Sequence, residues 1–385
     1  MILSFSLILA SIILFSLSFC GFGKIFLKSF KIKNQNNFYE EVIYGLYLVS
    51  FLTLIWNFFS NINVYFSFSI FFIGLLIYLT TGNFKKKFVV DINSVLILSF
   101  LSLILISFAK FQEDLPWYTL PYISVLNEDK INFGLTNIQF RFGHTSILSY
   151  ASAYTSQIFT ISNLVIPLII SCVSIFLYFL KECYAKKNEL LNLFSFFVAT
   201  YFLIKINRFE EYGNDIPAFL LYCFIVYQLL SYVLNKEIGN NLIALFFLIL
   251  ILIFQKLTML PAIFLTLVII FLLRFKLRSL ILLFSIGIFC SFFWISKNVI
   301  NTGCLIYPVN LTCFESLPWT SKKNTHGHAK AISNLSEAWS KGWIDQPSKK
   351  KLNYKNYIEG FSWIKIWSIK NPKLIIEKLF PLFIL

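Results

Sequence analysis

Glu113 and Asp114 stand side by side between two long apolar runs, in FQEDLPWYTLPYISVLNEDKINFGLTNIQFRFGH, residues 111–144. A carboxylate held in such a place can take the proton from an attacking hydroxyl. Arg141 and His144 close the same stretch. RFEEYGND (208–215) adds Arg208, Glu210, Glu211 and Asp215, while FQKLTM (254–259) carries Lys256 and WISKN carries Lys297. Cationic side chains of this kind hold phosphate oxygens through charge-assisted hydrogen bonds. The set therefore offers a base for proton transfer and positive charge for a phosphate-bearing group.

These residues need a scaffold, and composition says which. Of 385 residues, 58% are hydrophobic and only 13% charged. Apolar runs lie near 1–20, 42–59, 64–81, 92–109, 162–180, 188–206, 216–234, 241–255, 258–273 and 279–299. A helix crosses a bilayer with roughly 20 apolar residues, fewer where the span is short. The expectation is an all-α polytopic membrane protein with about ten transmembrane helices. No alternating ten-residue segments of the barrel type are present.

Lys and Arg gather in four short connectors: Lys24, Lys28, Lys31 and Lys33; Lys85, Lys86 and Lys87; Lys181, Lys186 and Lys187; Arg274, Lys276 and Arg278. Such connectors stay in the cytoplasm. An even number of crossings must separate the second cluster from the third, and runs 92–109 and 162–180 supply two. Residues 110–161 then form an external loop. Within it HTSILSYASAYTSQIF is too polar for a span and is expected to lie as a surface helix on the outer face. The same reasoning puts 206–215, 254–259 and the long C-terminal tail outside, so that all the candidate residues share one face.

The expected organisation is N-terminal transmembrane helices over 1–109, the external loop over 110–161, transmembrane helices over 162–299, an external soluble segment over 300–373, and an incomplete apolar segment over 374–385. That last run is too short to cross; either it is interfacial or the chain continues beyond it. The N-terminal run has no basic residue ahead of it, so it is read as a retained first span with its N-terminus outside. The net charge of +15 belongs to cytoplasmic loops and lipid headgroups, and no basic soluble domain is available for nucleic acid.

Each candidate also has a plainer reading. Asp114 precedes Leu-Pro, where Asp is a preferred helix cap, and Asp215 precedes Ile-Pro in the same way. Arg141 and His144 could be ordinary polar surface residues; Lys256 and Lys297 could snorkel to the interface. His326 and His328 have no acidic partner at ligand spacing, so no metal site is assigned. Trp319, Trp339, Trp343, Trp363 and Trp367 are interfacial anchors or packing. Of seven cysteines, only Cys304 and Cys313 share a loop. They form a disulfide if that loop faces an oxidising compartment.

An acidic pair just past a span, an aromatic-rich helix and a surface helix before the next span resemble the first external loop of GT-C-class glycosyltransferases. These are integral-membrane enzymes that use polyprenyl-phosphate sugars. The stretch is more similar still to a group of bacterial multi-spanning proteins. There an Asp-led aromatic motif precedes a Gly-Leu-x-Asn element ending in Arg-x-Gly, here Gly134, Leu135, Asn137, Arg141 and Gly143. The resemblance covers roughly residues 90–320.

The resemblance implies transfer of a sugar from a polyprenyl-phosphate donor to a glycan or lipid acceptor. It places the reaction on the extracytoplasmic face of a bacterial inner membrane, in cell-envelope synthesis. It assigns catalysis to Asp114 with Glu113, and substrate binding to Arg141, His144, Arg208, Glu211, Asp215 and Lys256. The class meets the donor phosphate with basic side chains or a divalent metal, and no DxD motif signals a metal here. A polysaccharide polymerase or ligase, or a transporter of lipid-linked substrate, is the alternative.

Overall fold

In lipid every backbone N–H and C=O must be satisfied within the chain, so apolar runs of this length become helices. The computed structural model describes residues 2–30, 37–81, 87–111, 114–159, 161–185, 188–206, 209–210, 213–235, 241–273, 277–320, 322–347 and 351–372. Among them there are helices and two isolated bridges, and no strand.

Seven described helices are long and apolar enough to cross a membrane: Ser6–Ser29, Phe38–Asn57, Val64–Thr81, Asp91–Phe108, Asn163–Cys183, Asp215–Leu234 and Leu277–Thr302. They belong to α1 (Ile2–Ser29), α2 (Phe38–Asn57), α3 (Val64–Thr81), α4 (Lys87–Phe108), α7 (Ile166–Cys183), α9 (Asp215–Asn235) and α12 (Leu277–Thr302). Between them come α5 (Leu120–Glu128), α6 (Ile147–Ser156), α8 (Glu189–Lys205), α10 (Asn241–Gln255) and α11 (Leu265–Leu272). The expected count of about ten is therefore not met by length. The three remaining runs form α8, of 17 residues, α10, of 15, and a 3-10 segment Leu257–Phe264 leading into α11, of eight.

The chain divides into two compact units. One holds Met1–Asn132 and His144–Lys297; the other holds Phe133–Gly143 and Asn298–Leu385. The stretch 110–161 is divided between the two units. Its middle folds with the tail and its ends fold with the helices.

In the first unit α1, α2 and α3 meet through glycines. A Cβ on Gly23 would strike the Glu41 carbonyl, one on Gly45 the Phe19 carbonyl, and one on Gly21 the Gly74 carbonyl. Small residues let backbones approach where lipid gives helices no hydrophobic reason to associate. Helix α6 corrects the sequence reading. It is not a surface helix, because every residue from Ile147 to Thr155 is buried. Ser149, Ala151, Ser152 and Ala153 are small enough for close packing against α2 and α7. Thr155 spends its hydroxyl on the Asn163 carbonyl at 2.8 Å, and Tyr150 shares a hydrogen bond with Tyr122 at 3.2 Å.

In the second unit the 133–143 segment is held by its own polar atoms. Gly134 (φ 66°) donates its N–H to the Ile300 carbonyl at 2.9 Å. The Asn137 amide donates to the Trp319 carbonyl at 2.7 Å, and Phe133 packs edge-on against Trp319. A Cβ on Gly143 would enter the Tyr307 ring, so glycine is required there. Cys304 and Cys313 are joined by a disulfide. Further on come α13 (Lys322–Ser340), α14 (Tyr354–Glu359) and a last helix, α15, over 363–372.

Candidate functional site

After α4, Pro116 and Pro121 each sit in the first turn of a helical segment, where a missing N–H costs nothing. Asp114 opens a π-helical turn, Leu115–Thr119, that leads into α5. Single π turns recur at functional sites, where they re-aim a side chain. Asp114 is helical (φ −74°, ψ −15°), and its side chain makes no capping hydrogen bond. The Tyr118 hydroxyl donates to Asp114 Oδ2 at 3.4 Å, and the residue is half-buried. The capping role is therefore not the one its carboxylate performs.

Four residues earlier, the chain is pinned. Lys110 donates its N–H to the Phe209 carbonyl at 2.9 Å, and Lys110 and Glu210 form a parallel bridge. This fastens the approach to Asp114 onto the loop that leads to Asp215. Asp215 is the first residue of α9, and its carboxylate accepts from Lys256 Nζ. The Asp215 side chain is 80% exposed and that of Lys256 is 28% exposed. Such a pair contributes less than about 1 kcal/mol to stability. The ammonium is thus easily won by a stronger anion. Lys256 itself is extended (φ −151°), between the end of α10 and the 3-10 segment that contains Pro261.

Lys297, to which the resemblance assigns no role, lies in the same unit. It is only 1% exposed. Its ammonium donates to Thr145 Oγ1 and stands 4.4 Å from the centre of the Trp294 ring. Trp294 in turn stacks on Phe254 at 4.9 Å. That stack sets Trp294, not Lys297 itself, against Phe254 near the end of α10. A lysine three residues after a tryptophan in an otherwise apolar helix was the available signal.

The remaining expected residues separate. His144 is exposed and adjoins Thr145 in the first unit. Arg141 belongs to the second unit, half-buried, with its guanidinium 5.8 Å from the Phe140 ring centre. Phe140 stacks on His328 at 4.3 Å. Burial pushes the Tyr307 phenol, in the same unit, up to about 12. Glu113, Arg208 and Glu211 lie outside the described residues. Among the described residues no three His, Cys, Asp or Glu side chains converge to hold a metal ion.

A second polar cluster lies at the opposite ends of these helices, where the sequence showed only a basic connector. Lys24, Glu41 and Asp91 are 6%, 3% and 4% exposed. Lys24 Nζ donates to Asp91 Oδ2 at 3.2 Å and lies 3.8 Å from Glu41 Oε2, above the Tyr78 ring at 4.2 Å. The Cys20 thiol donates to Glu41 at 3.3 Å and the Tyr78 hydroxyl to Asp91 at 3.4 Å. Gln228 bridges Glu40 and the Tyr178 hydroxyl, and the Tyr227 hydroxyl donates to Glu182 at 2.6 Å. Buried charges of this kind repay their desolvation only when each is paired and hydrogen-bonded.

A family model described as a domain of unknown function (DUF8201) matches residues 5–385. No curated protein matches the chain, and no solved structure does.

Proposed function

The chain belongs to the DUF8201 family, and we propose that it is an inverting glycosyltransferase of the membrane. In this reading it moves a sugar from a polyprenyl-phosphate donor to a glycan or lipid acceptor at the extracytoplasmic face. The observation that carries the reading is the state of Asp114. Its carboxylate makes no cap at the π turn, and its approach is pinned to the loop that leads to the Asp215–Lys256 pair.

The chemistry follows from those side chains. Asp114 takes the proton of the acceptor hydroxyl. The oxygen then attacks the anomeric carbon, and the bond from that carbon to the phosphate oxygen breaks. The departing electron pair stays on the phosphate. Lys256 leaves Asp215 for the phosphate. Inversion follows from a single displacement. The four basic connectors support an extracytoplasmic site for the reaction, and the resemblance supports a bacterial inner membrane.

Lys256→Ala tests the phosphate contact. The variant is expected to raise KM for the donor about tenfold, the loss of one charge-assisted hydrogen bond of 1.5–3 kcal/mol at its lower end. The melting temperature should stay within a degree or so of wild type, because an exposed ion pair adds little to stability. An unchanged KM would remove Lys256 from the site.

The buried Lys24–Glu41–Asp91 cluster favours a second reading. Ionisable residues inside a helix bundle often mark a transport path. A transporter of lipid-linked substrate would use that cluster to couple movement to ions, and would leave the sugar–phosphate bond intact.

A further inference from the structure

The tail of the second unit carries a surface that neither reading uses. Between residues 351 and 372 stand Lys351, Lys355, Lys365 and Lys370 against one acid, Glu359. In α15 the residues Trp363, Ile364, Ile366 and Trp367 fall on one side at helical spacing together with Lys370, with Lys365, Ser368 and Ile369 on the other. Phe361 and Ile369 are 82% and 69% exposed, and Ile364 and Trp367 are exposed as well. One edge of the helix is tethered. Asn371 donates to the Ser340 carbonyl at 3.4 Å, and the Lys341 ammonium lies 4.7 Å from the Trp363 ring centre.

Rings and branched chains interleaved with lysines fit a membrane–water boundary. Tryptophan settles at headgroup depth, aliphatic groups dip below it, and lysines meet phosphate. We propose that α15 is an interfacial anchor that docks the second unit on anionic lipid headgroups. The charge decides the occupant: four lysines against one glutamate are complementary to a surface of negative charge. The proposal stands apart from the sugar-transfer reading, since it concerns lipid contact alone.

The test uses the full chain in nanodiscs of zwitterionic lipid, with and without added anionic lipid. Amide hydrogen exchange is followed over 361–372. Exchange is expected to slow in the anionic discs. Lys365→Glu and Lys370→Glu should each cut that protection about fivefold, while protection of α13 stays constant as the folding control. Equal exchange in both kinds of disc would overturn the proposal. So would protection that survives both charge reversals, which would point to a protein contact.

Discussion

Asp114→Asn is expected to lower the rate of sugar transfer about 10²- to 10⁴-fold, the usual contribution of a positioned general base. The substitution changes little else. Asn keeps the size of the side chain and still offers an oxygen to the Tyr118 hydroxyl. The substitution also separates the two readings that the sequence left open. Asn and Ser cap helices about as well as Asp. A capping aspartate would therefore tolerate Asn or Ser with activity intact, whereas a base would tolerate neither. The measurement is initial rate at saturating donor, beside a melting curve for each variant.

Lys24→Met is expected to be the most destabilising single change in the first unit. It leaves Glu41 and Asp91 buried without their cation, and breaking a buried pair in this way costs about 3–5 kcal/mol. Thermal unfolding of the detergent-solubilised protein reads the loss. Adding Asp91→Asn should restore part of it, because one uncompensated carboxylate is then removed. A Lys24→Met protein that melts like wild type would mean that the cluster does not hold α1, α2 and α4 together. The buried charges would then point to a transport role, and uptake of labelled lipid-linked sugar would be the assay to run on that variant.

Much of the architecture was legible because lipid imposes so few choices. Apolar length alone marks α1, α2, α3, α4, α7, α9 and α12, whose spans fall close to the runs read from sequence. The three runs at α8, α10 and α11 were counted as crossings on composition, and their helices came out shorter. Pro261 shows why: it falls inside the 3-10 segment and splits one apolar run into two pieces of secondary structure.

Helix α6 was misread for a different reason. Its hydroxyls look polar to a hydropathy scale, yet serine and threonine can return them to carbonyls of their own helix, as Ser156 does to Ala153 at 2.9 Å. The small side chains then favour tight burial. Lys24 was misread because its partner is remote. Nothing near residue 24 announces Asp91, 67 positions away, and a lysine beside other lysines looks like one more member of a solvated connector.

The candidate site was legible in part. Shared sidedness pointed to Asp215 and Lys256 together, and the ion pair joins them. It also pointed to Arg141, but sidedness is a coarse coordinate. It fixes which end of the helices a residue occupies and not which unit takes it, and the 133–143 segment folds with the tail. Lys297 was undervalued because a lone lysine near a helix end usually snorkels. Only the packing of Thr145 and Trp294 around its ammonium distinguishes it.

The most direct measurement is the fate of the donor. Purified full-length protein in lipid nanodiscs would be given polyprenyl-phosphate sugars labelled in both sugar and lipid, together with an envelope extract as acceptor. The account predicts release of free polyprenyl phosphate in step with sugar appearing on the acceptor, both abolished by Asp114→Asn. Donor that crosses a sealed vesicle with its sugar–phosphate bond unbroken, or turnover that survives the loss of the Asp114 carboxylate, would contradict it.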